Sequence, residues 1–238
     1  MRPPAEDAAR AVVAERYPDA TQAWLGGSTT TGRATVTSDL DITVLLSEVD
    51  VHRESLEYAG WPVELFVHTA SSIAFFVAKD LERRHPTMAR LVASGVPLLG
   101  DGGGDVRRHC EEVIERGPGP VAPEDLELMR YGLTDLLDDL AGATPGPEAT
   151  AVALGVWRET AELALACAET WHGTGKWLVR ELSRLDGQQG TDLTADLDDA
   201  LTRALAGDVG PLTAVADRVL DACGGRFWAG LHRTANLP

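Results

Sequence analysis

Two aspartates lie at the start of an apolar run, in the segment GGSTTTGRATVTSDLDITVLL (residues 26–46). Asp39 and Asp41 alternate with Leu40 and Ile42, which predicts a strand with both carboxylates on one face. Two carboxylates held this close repel each other unless a cation lies between them. Mg²⁺ prefers oxygen ligands of this kind, so the pair predicts a divalent-metal site. The alternative is a solvated turn before a strand, with no function.

A glycine-serine turn precedes this pair. Gly26 and Gly27 allow the backbone to approach a ligand closely, and Ser28 offers a hydroxyl together with the first N–H groups of a following turn. We therefore predict that Gly27 and Ser28 bind the phosphates of a nucleotide, and we include Ser38 in the same nucleotide site. Phosphate oxygens, a metal and an acidic cluster together indicate phosphoryl or nucleotidyl transfer.

A third acid is expected from the segment WPVELFVH (residues 61–68), which reads as another strand. Glu64 alternates with the apolar residues of this segment, and it joins the two aspartates if the strands are neighbours in register. Three other acids precede the segment in a polar connecting stretch that lacks the apolar flanks of a central strand. These are Asp50, Glu54 and Glu57. We favour Glu64 for that reason.

The order Gly-Gly-Ser, nine residues, Ser-Asp-Leu-Asp, then an acid on a later strand resembles the polymerase-β-like nucleotidyltransferase superfamily. The resemblance implies a small mixed sheet flanked by helices. It implies that Asp39 and Asp41 bind Mg²⁺ together with ATP, and that Ser28 contacts the phosphates. An acceptor hydroxyl would attack the α-phosphate and pyrophosphate would leave, with Glu64 as third ligand, general base or both.

The layout of the whole chain also resembles the aminoglycoside nucleotidyltransferases, in which a helical domain follows the catalytic one. In that subfamily a helical arginine and a later Gly-x-x-x-Ser-Lys-type turn contact the triphosphate. Arg158 and Lys176 are the corresponding candidates, although the glycine spacing of Gly173-Thr174-Gly175-Lys176 is shorter and no serine precedes the lysine. The alternative for a helical arginine is an ion pair with a surface acid.

The proline- and glycine-rich segment GPGPVAP (residues 117–123) reads as a linker. Before it, strands and helices are mixed. After it, leucines recur every three or four residues and no strand pattern remains, which predicts an all-helical bundle. We therefore expect an α+β fold: a nucleotidyltransferase catalytic domain over residues 1–118 and a helical substrate-binding domain over residues 119–238.

The net charge and composition limit the classes of binding partner that the protein is expected to have. The chain carries a formal charge of -16, so a basic surface for nucleic acid is not evident and nucleic acid is disfavoured. The same charge suits a cationic small-molecule acceptor, although it also serves ordinary solubility. The sequence shows no apolar run long enough to span a membrane, and the N-terminal MRPPAEDAAR does not resemble a signal peptide.

Three cysteines lie far apart, at Cys110, Cys167 and Cys223. Their spacing predicts neither a disulfide framework nor a metal-binding knuckle, which favours a reducing cytoplasm. We expect the protein to be a monomer or a dimer.

The function expected from these features is Mg²⁺-dependent transfer of AMP from ATP to a hydroxyl of a small molecule. An aminoglycoside-like antibiotic is the favoured acceptor, and its modification would confer antibiotic resistance. Two alternatives remain: a nucleotidyltransferase acting on a protein or RNA, and a catalytically dormant binding or regulatory module of the toxin–antitoxin type.

Overall fold

The computed structural model describes residues 2–100, 104–232 and 234. The chain divides into two compact units, one ending at Gly117 and the other beginning at Pro118. The division falls at the start of the proline- and glycine-rich segment.

The first unit is built on one mixed sheet with the strand order β3-β4-β2-β1-β5. Strands β2 and β4 are parallel, and the other neighbouring strands are antiparallel. This arrangement confirms the predicted α+β class. In chain order the elements are α1 (Ala5–Arg16), β1 (Gln22–Gly26), a single 3-10 turn (Ser28–Thr30), β2 (Leu40–Leu45), β3 (His52–Tyr58), β4 (Trp61–His68), α2 (Ala70–Arg83), α3 (Thr87–Ala93), β5 (Val96–Leu99) and α4 (Gly104–Arg116).

The core of this unit lies between α1 and one face of the sheet. Alternate residues of β2 and β4 are buried there, together with the small apolar residues along one side of α1. The buried residues are Ala8, Ala9, Val12, Val13, Leu40, Ile42, Val44, Val63, Leu65 and Val67. A shift of one residue in either strand would bring its carboxylates into this core, so the apolar face also fixes the register of the acidic face.

Strand β3 was not expected from the sequence. The prediction that the polar stretch before Trp61 only connects two strands is wrong, because His52–Tyr58 forms an antiparallel hairpin with β4. The hairpin turn contains Ala59 and Gly60, both with positive φ, as tight two-residue turns require. As an edge strand β3 buries little apolar surface, and its sequence therefore lacks the usual hydrophobic alternation.

Helix α3 packs closely on the strand that leads into the glycine-serine turn. A Cβ built at Gly26 would lie 2.8 Å from Cδ2 of Leu91, so a larger residue there would force the Leu91 side chain to move. The first turn of α3 is held by the buried Asp80 of α2, whose carboxylate accepts hydrogen bonds from the backbone N–H groups of Met88 and Ala89. Burial raises the pKa of Asp80 although these hydrogen bonds and Arg83 oppose the shift.

The second unit contains helices only, over the residues described after Pro118. They are α5 (Pro123–Gly142), α6 (Pro147–Cys167), α7 (Lys176–Gln189), α8 (Leu193–Leu205) and α9 (Gly210–Ala222). Helix α6 packs against each of the other four, and the leucines predicted to line one side of the helices form the core. The predicted helical bundle is confirmed.

The cysteine prediction is wrong. Cys167 at the end of α6 and Cys223 just after α9 form a disulfide, with Cα atoms 6.1 Å apart, while Cys110 is free and buried. The partners are 56 residues apart in sequence, and only helix packing brings them together. The cysteines consequently no longer support a reducing compartment. No helix in the described part of the chain is long and apolar enough to cross a membrane.

Candidate active site

The acidic face of the sheet carries a row of residues that crosses four strands. Asp41 on β2 lies opposite Gly26 on β1 and opposite Glu64 on β4, and Glu64 in turn lies opposite Ser55 on β3. Residues paired in this way direct their side chains to the same face. The sequence analysis expected Glu64 to approach the aspartates if the two strands were neighbours in register, and β2 and β4 are paired in this way.

Three carboxylates converge at this row: Asp41 and Glu64 belong to it, and Asp39 lies just before β2. Asp39, Asp41 and Glu64 each offer one oxygen, and the three oxygens lie within 4.8 Å of one another. All three residues are half-buried. Carboxylates held this close repel each other, and a bound cation would remove the repulsion.

This donor set fits a hard divalent cation. Mg²⁺ takes oxygen ligands at about 2.1 Å in an octahedron, which places the ligand atoms about 3 to 4 Å apart. The three oxygens lie within 4.8 Å of one another, so small side-chain rotations are enough to bring them to these separations. The donors are all carboxylates, as Mg²⁺ or Mn²⁺ prefers, whereas zinc sites use cysteine and histidine.

Gly27 closes one side of the carboxylate cluster. Its φ of 78° and ψ of -159° fall in a region that is essentially restricted to glycine. A Cβ at this position would overlap the Asp41 carboxylate at Oδ2. The backbone of Gly27 therefore lies directly against the candidate metal ligand Asp41, and its approach to nucleotide phosphates stays a prediction.

We expect Gly27→Ala to lose both stability and metal binding. The backbone strain should lower the free energy of unfolding by about 1–3 kcal/mol, and the new methyl group should displace the Asp41 carboxylate. The loss of that ligand should weaken Mn²⁺ binding, measured by isothermal titration calorimetry, by about tenfold or more.

Gly32→Ala is the matched control for this variant. Gly32 also has a positive φ, of 68°, but a Cβ there would meet nothing within 4 Å. It should cost about 1 kcal/mol of stability and leave Mn²⁺ binding unchanged. Equal losses of Mn²⁺ affinity in the two variants would mean that backbone strain, rather than contact with Asp41, controls binding.

Ser28 and Ser38 join the two ends of the loop between β1 and β2. Their hydroxyl oxygens share a hydrogen bond of 2.9 Å, and the buried Ser38 Oγ also accepts one from the backbone N–H of Thr35. Gly27 precedes the 3-10 turn as its N-cap, without a capping side chain. The turn is too short to need a side-chain cap, and contact of either serine with phosphate stays a prediction.

Glu64 has two partners that the sequence analysis missed. Arg53 forms an ion pair with Glu64 Oε1, and the Ser55 hydroxyl donates a hydrogen bond of 3.3 Å to the same oxygen. Both partners lie on β3, the strand that was not recognised. The signal available in the sequence was Gly60, in a two-residue gap between two segments of similar length, a spacing that fits a hairpin.

The other acids considered for the third position are not part of the cluster. Glu54 forms an ion pair with Arg16 and accepts a hydrogen bond of 2.9 Å from Tyr17 Oη. Burial raises the pKa of Tyr17, and its hydrogen bond to Glu54 adds to the shift. Glu54 therefore stabilises the contact between α1 and β3.

His68 lies at the far end of β4, four residues beyond Glu64 on the same side of the strand. It is buried, its Nδ1 lies 2.9 Å from Ser72 Oγ, and its ring packs edge-on against Phe76. Burial lowers the pKa of His68, and the nearby His52 lowers it further. The neutral imidazole is thus favoured, and its contacts join β4 to the start of α2.

Arg158 and Lys176 belong to the second unit. Arg158 is exposed on α6, with Nη2 3.6 Å from Glu159 Oε1 and Nε 3.9 Å from Glu162 Oε1. Burial raises the pKa of both glutamates, and Arg158 opposes the shift. Lys176 is the first residue of α7 and is exposed. Their contact with a triphosphate stays a prediction.

Residues 7–91 match the family model described as "Nucleotidyltransferase domain". This range extends from α1 into α3 and contains the glycine-serine turn and all three carboxylates. The first unit contains a nucleotidyltransferase domain of the polymerase-β-like superfamily. The protein is accordingly a nucleotidyltransferase, as the sequence motif predicted.

Among solved structures, the chain is similar to a nucleotidyltransferase-like protein from Exiguobacterium sibiricum 255-15. The two are 13% identical, the match covers 92% of this chain and 77% of the other, and the TM-score is 0.44. No curated protein sequence matches the chain significantly. The assignment of the nucleotidyltransferase domain therefore depends on the family match together with the site geometry.

Proposed function

We propose that the protein transfers AMP from ATP to a hydroxyl group of a small molecule, and that the acceptor is an aminoglycoside-like antibiotic. The single observation that carries the proposal is the convergence of Asp39, Asp41 and Glu64 beside Gly27 within a nucleotidyltransferase domain. Nucleotidyl transfer is the shared chemistry of that domain, and the nucleotide and the acceptor are the proposed part.

In this proposal the candidate residues of the first unit bind the metal ion and the phosphates. Asp39, Asp41 and Glu64 would hold Mg²⁺, which when bound offsets negative charge on the phosphate groups. Ser28 and Ser38 would contact the phosphates from the loop that their mutual hydrogen bond closes. From the second unit, Arg158 and Lys176 would contact the triphosphate, as the resemblance to aminoglycoside nucleotidyltransferases suggests.

The proposed reaction is an in-line displacement at the α-phosphate. The acceptor oxygen forms a bond to the α-phosphorus, the bond to the bridging oxygen breaks, and pyrophosphate leaves. The proton of the acceptor hydroxyl passes to the Glu64 carboxylate, which acts as general base. Positioning of the two substrates supplies much of the rate enhancement in reactions of this type.

A cationic acceptor is supported by the charge of the second unit. Residues 120–238 carry 9 basic and 19 acidic side chains, a net charge of 9 - 19 = -10. A negative field of this size attracts polyamines and repels polynucleotides. The charge thus favours a polyamine antibiotic over RNA as the acceptor.

The direct test is a panel of acceptors with Mg²⁺ and each of the four nucleoside triphosphates, followed by pyrophosphate release and mass spectrometry. We expect release to require Mg²⁺, ATP and an amino sugar, and the product to carry one adenylyl group. A parallel reaction with labelled ATP and cell lysate tests macromolecular acceptors. Label on a protein or an RNA, without a small-molecule product, would show that the acceptor is that macromolecule and not an antibiotic. Binding of ATP without any product would indicate a dormant module.

A further inference from the structure

The carboxylate of Glu64 is held from outside the acidic cluster. Ser55 of β3 lies directly opposite Glu64, and Arg53 lies opposite Phe66, two residues further along β4. Because alternate residues of paired strands share a face, both β3 residues are on the side of the sheet that carries the three carboxylates.

Both contacts from β3 fall on the same oxygen. Arg53 pairs with Glu64 Oε1, and the Ser55 hydroxyl donates to Oε1 as well, so neither contact uses Oε2. The Glu64 side chain is only 17% exposed, whereas that of Arg53 is 63% exposed. A carboxylate with so little access to water depends on its protein partners to fix its orientation.

Arg53 is itself held in place. Its guanidinium carbon lies 5.1 Å from the centroid of the Phe66 ring, the residue directly opposite it on β4. Cation–π contact at this distance restricts a long side chain that would otherwise sample many rotamers. The Arg53 guanidinium therefore contacts β4 at two positions, the ring and the carboxylate.

Repulsion explains why such a partner is needed. Asp39 and Asp41 place two negative charges within 4.8 Å of a Glu64 oxygen, and this repulsion favours rotation of the longer glutamate away from the cluster. The positive charge of Arg53 opposes that rotation. Ser55 restricts the same oxygen from the adjacent position, which reduces the conformational entropy that Glu64 loses when ligands bind.

We propose that Arg53 and Ser55 are positioning residues that hold Glu64 in the orientation used for metal binding and for proton transfer. This inference rests on the proposed function of Glu64. It assigns to the edge strand β3 a part in the site, although β3 contributes no carboxylate to the cluster. The competing interpretation is that Arg53 contacts the substrate phosphates directly.

A double-mutant cycle separates these interpretations. Arg53→Met, Glu64→Gln and the double variant are compared with the wild type for binding of the Mg²⁺ complex of α,β-methylene-ATP, measured by isothermal titration calorimetry. We expect Arg53→Met to weaken binding about fivefold in the wild-type background and less than twofold when Glu64 is already glutamine. An equal loss in both backgrounds would overturn the positioning role and assign Arg53 to the substrate.

Matched variants complete the test. Arg16→Met removes the ion pair with Glu54 on the same strand and should leave nucleotide binding unchanged. Ser55→Ala should weaken binding about twofold, and Arg53→Lys should recover part of the affinity because it keeps the charge. Unchanged nucleotide affinity in Ser55→Ala would remove Ser55 from the proposal. An equal loss of affinity in Arg16→Met and Arg53→Met would mean that both variants act by destabilising β3, which would overturn the positioning role of Arg53.

The wild type and the three variants of the double-mutant cycle also give a measurement that needs no nucleotide. Urea unfolding measures the coupling between Arg53 and Glu64 in the free protein. We expect Glu64→Gln to reduce the stability effect of Arg53→Met to the part that the Phe66 contact contributes. Additive effects would overturn the inference whether or not the protein is active. If the wild type neither binds nor transfers a nucleotide but Arg53 and Glu64 are coupled in unfolding, the proposed function is wrong and the interaction that positions Glu64 is still supported.

Discussion

Replacing both Asp39 and Asp41 by asparagine is expected to lower kcat/KM for nucleotidyl transfer by at least about a thousandfold, which corresponds to about 4 kcal/mol of lost transition-state stabilisation. The two aspartates supply two of the three carboxylates within 4.8 Å of each other, and one carboxylate beside two neutral amides should bind a divalent ion much more weakly. The measurement is pyrophosphate release with the acceptor found in the panel.

This loss should occur without loss of stability. In the absence of a cation the three carboxylates repel each other, so removing two charges should leave the thermal midpoint unchanged or raise it. The increase in midpoint that Mg²⁺ produces in the wild type should disappear. Activity should thus fall while stability does not, which distinguishes a damaged site from an unfolded protein.

A matched control removes the same charge elsewhere. Glu48 and Glu57 are exposed residues of the same unit and lie outside the carboxylate cluster. The variant Glu48→Gln with Glu57→Gln should retain activity and its response to Mg²⁺. If the aspartate variant still converts ATP to pyrophosphate in an acceptor-dependent reaction, the assigned metal site is wrong.

The second large effect is expected at the disulfide of the helical unit. Cys167 and Cys223 are separated by 56 residues, and closing a loop of that length stabilises a folded chain by about 4 kcal/mol through the lower entropy of its unfolded state. The bond joins the end of α6 to the end of α9. We expect reduction to lower the free energy of unfolding by about 2–4 kcal/mol, measured by urea denaturation with and without dithiothreitol.

The double variant Cys167→Ser with Cys223→Ser is the control, because its unfolding should not respond to the reductant. A thiol count provides an independent check. Cys110 is the free cysteine, so the denatured protein should show one reactive thiol before reduction and three after it. Three thiols before reduction would show that the helical unit is held by its apolar core without the bond.

The strongest features of the fold could be read from local patterns. The alternation around Asp39 and Asp41 specifies which face carries the carboxylates, because a strand that buries Leu40 and Ile42 must turn its aspartates the other way. Glu64 follows from the same argument on β4. The leucines of the second unit specify helices because their spacing matches the helical turn.

The features that the sequence missed depend on contacts between distant segments. Strand β3 is stabilised by pairing with β4 along an exposed edge, so its own residues carry little apolar signal, and the contacts of Arg53 and Ser55 with Glu64 exist only through that pairing. The disulfide likewise depends on the packing of α6 against α9. The sequence by itself determined the acidic face and the helical spans, because burial imposes a local period on each element. Tertiary structure alone decided which partners meet, because a contact between separate elements requires them to be already assembled.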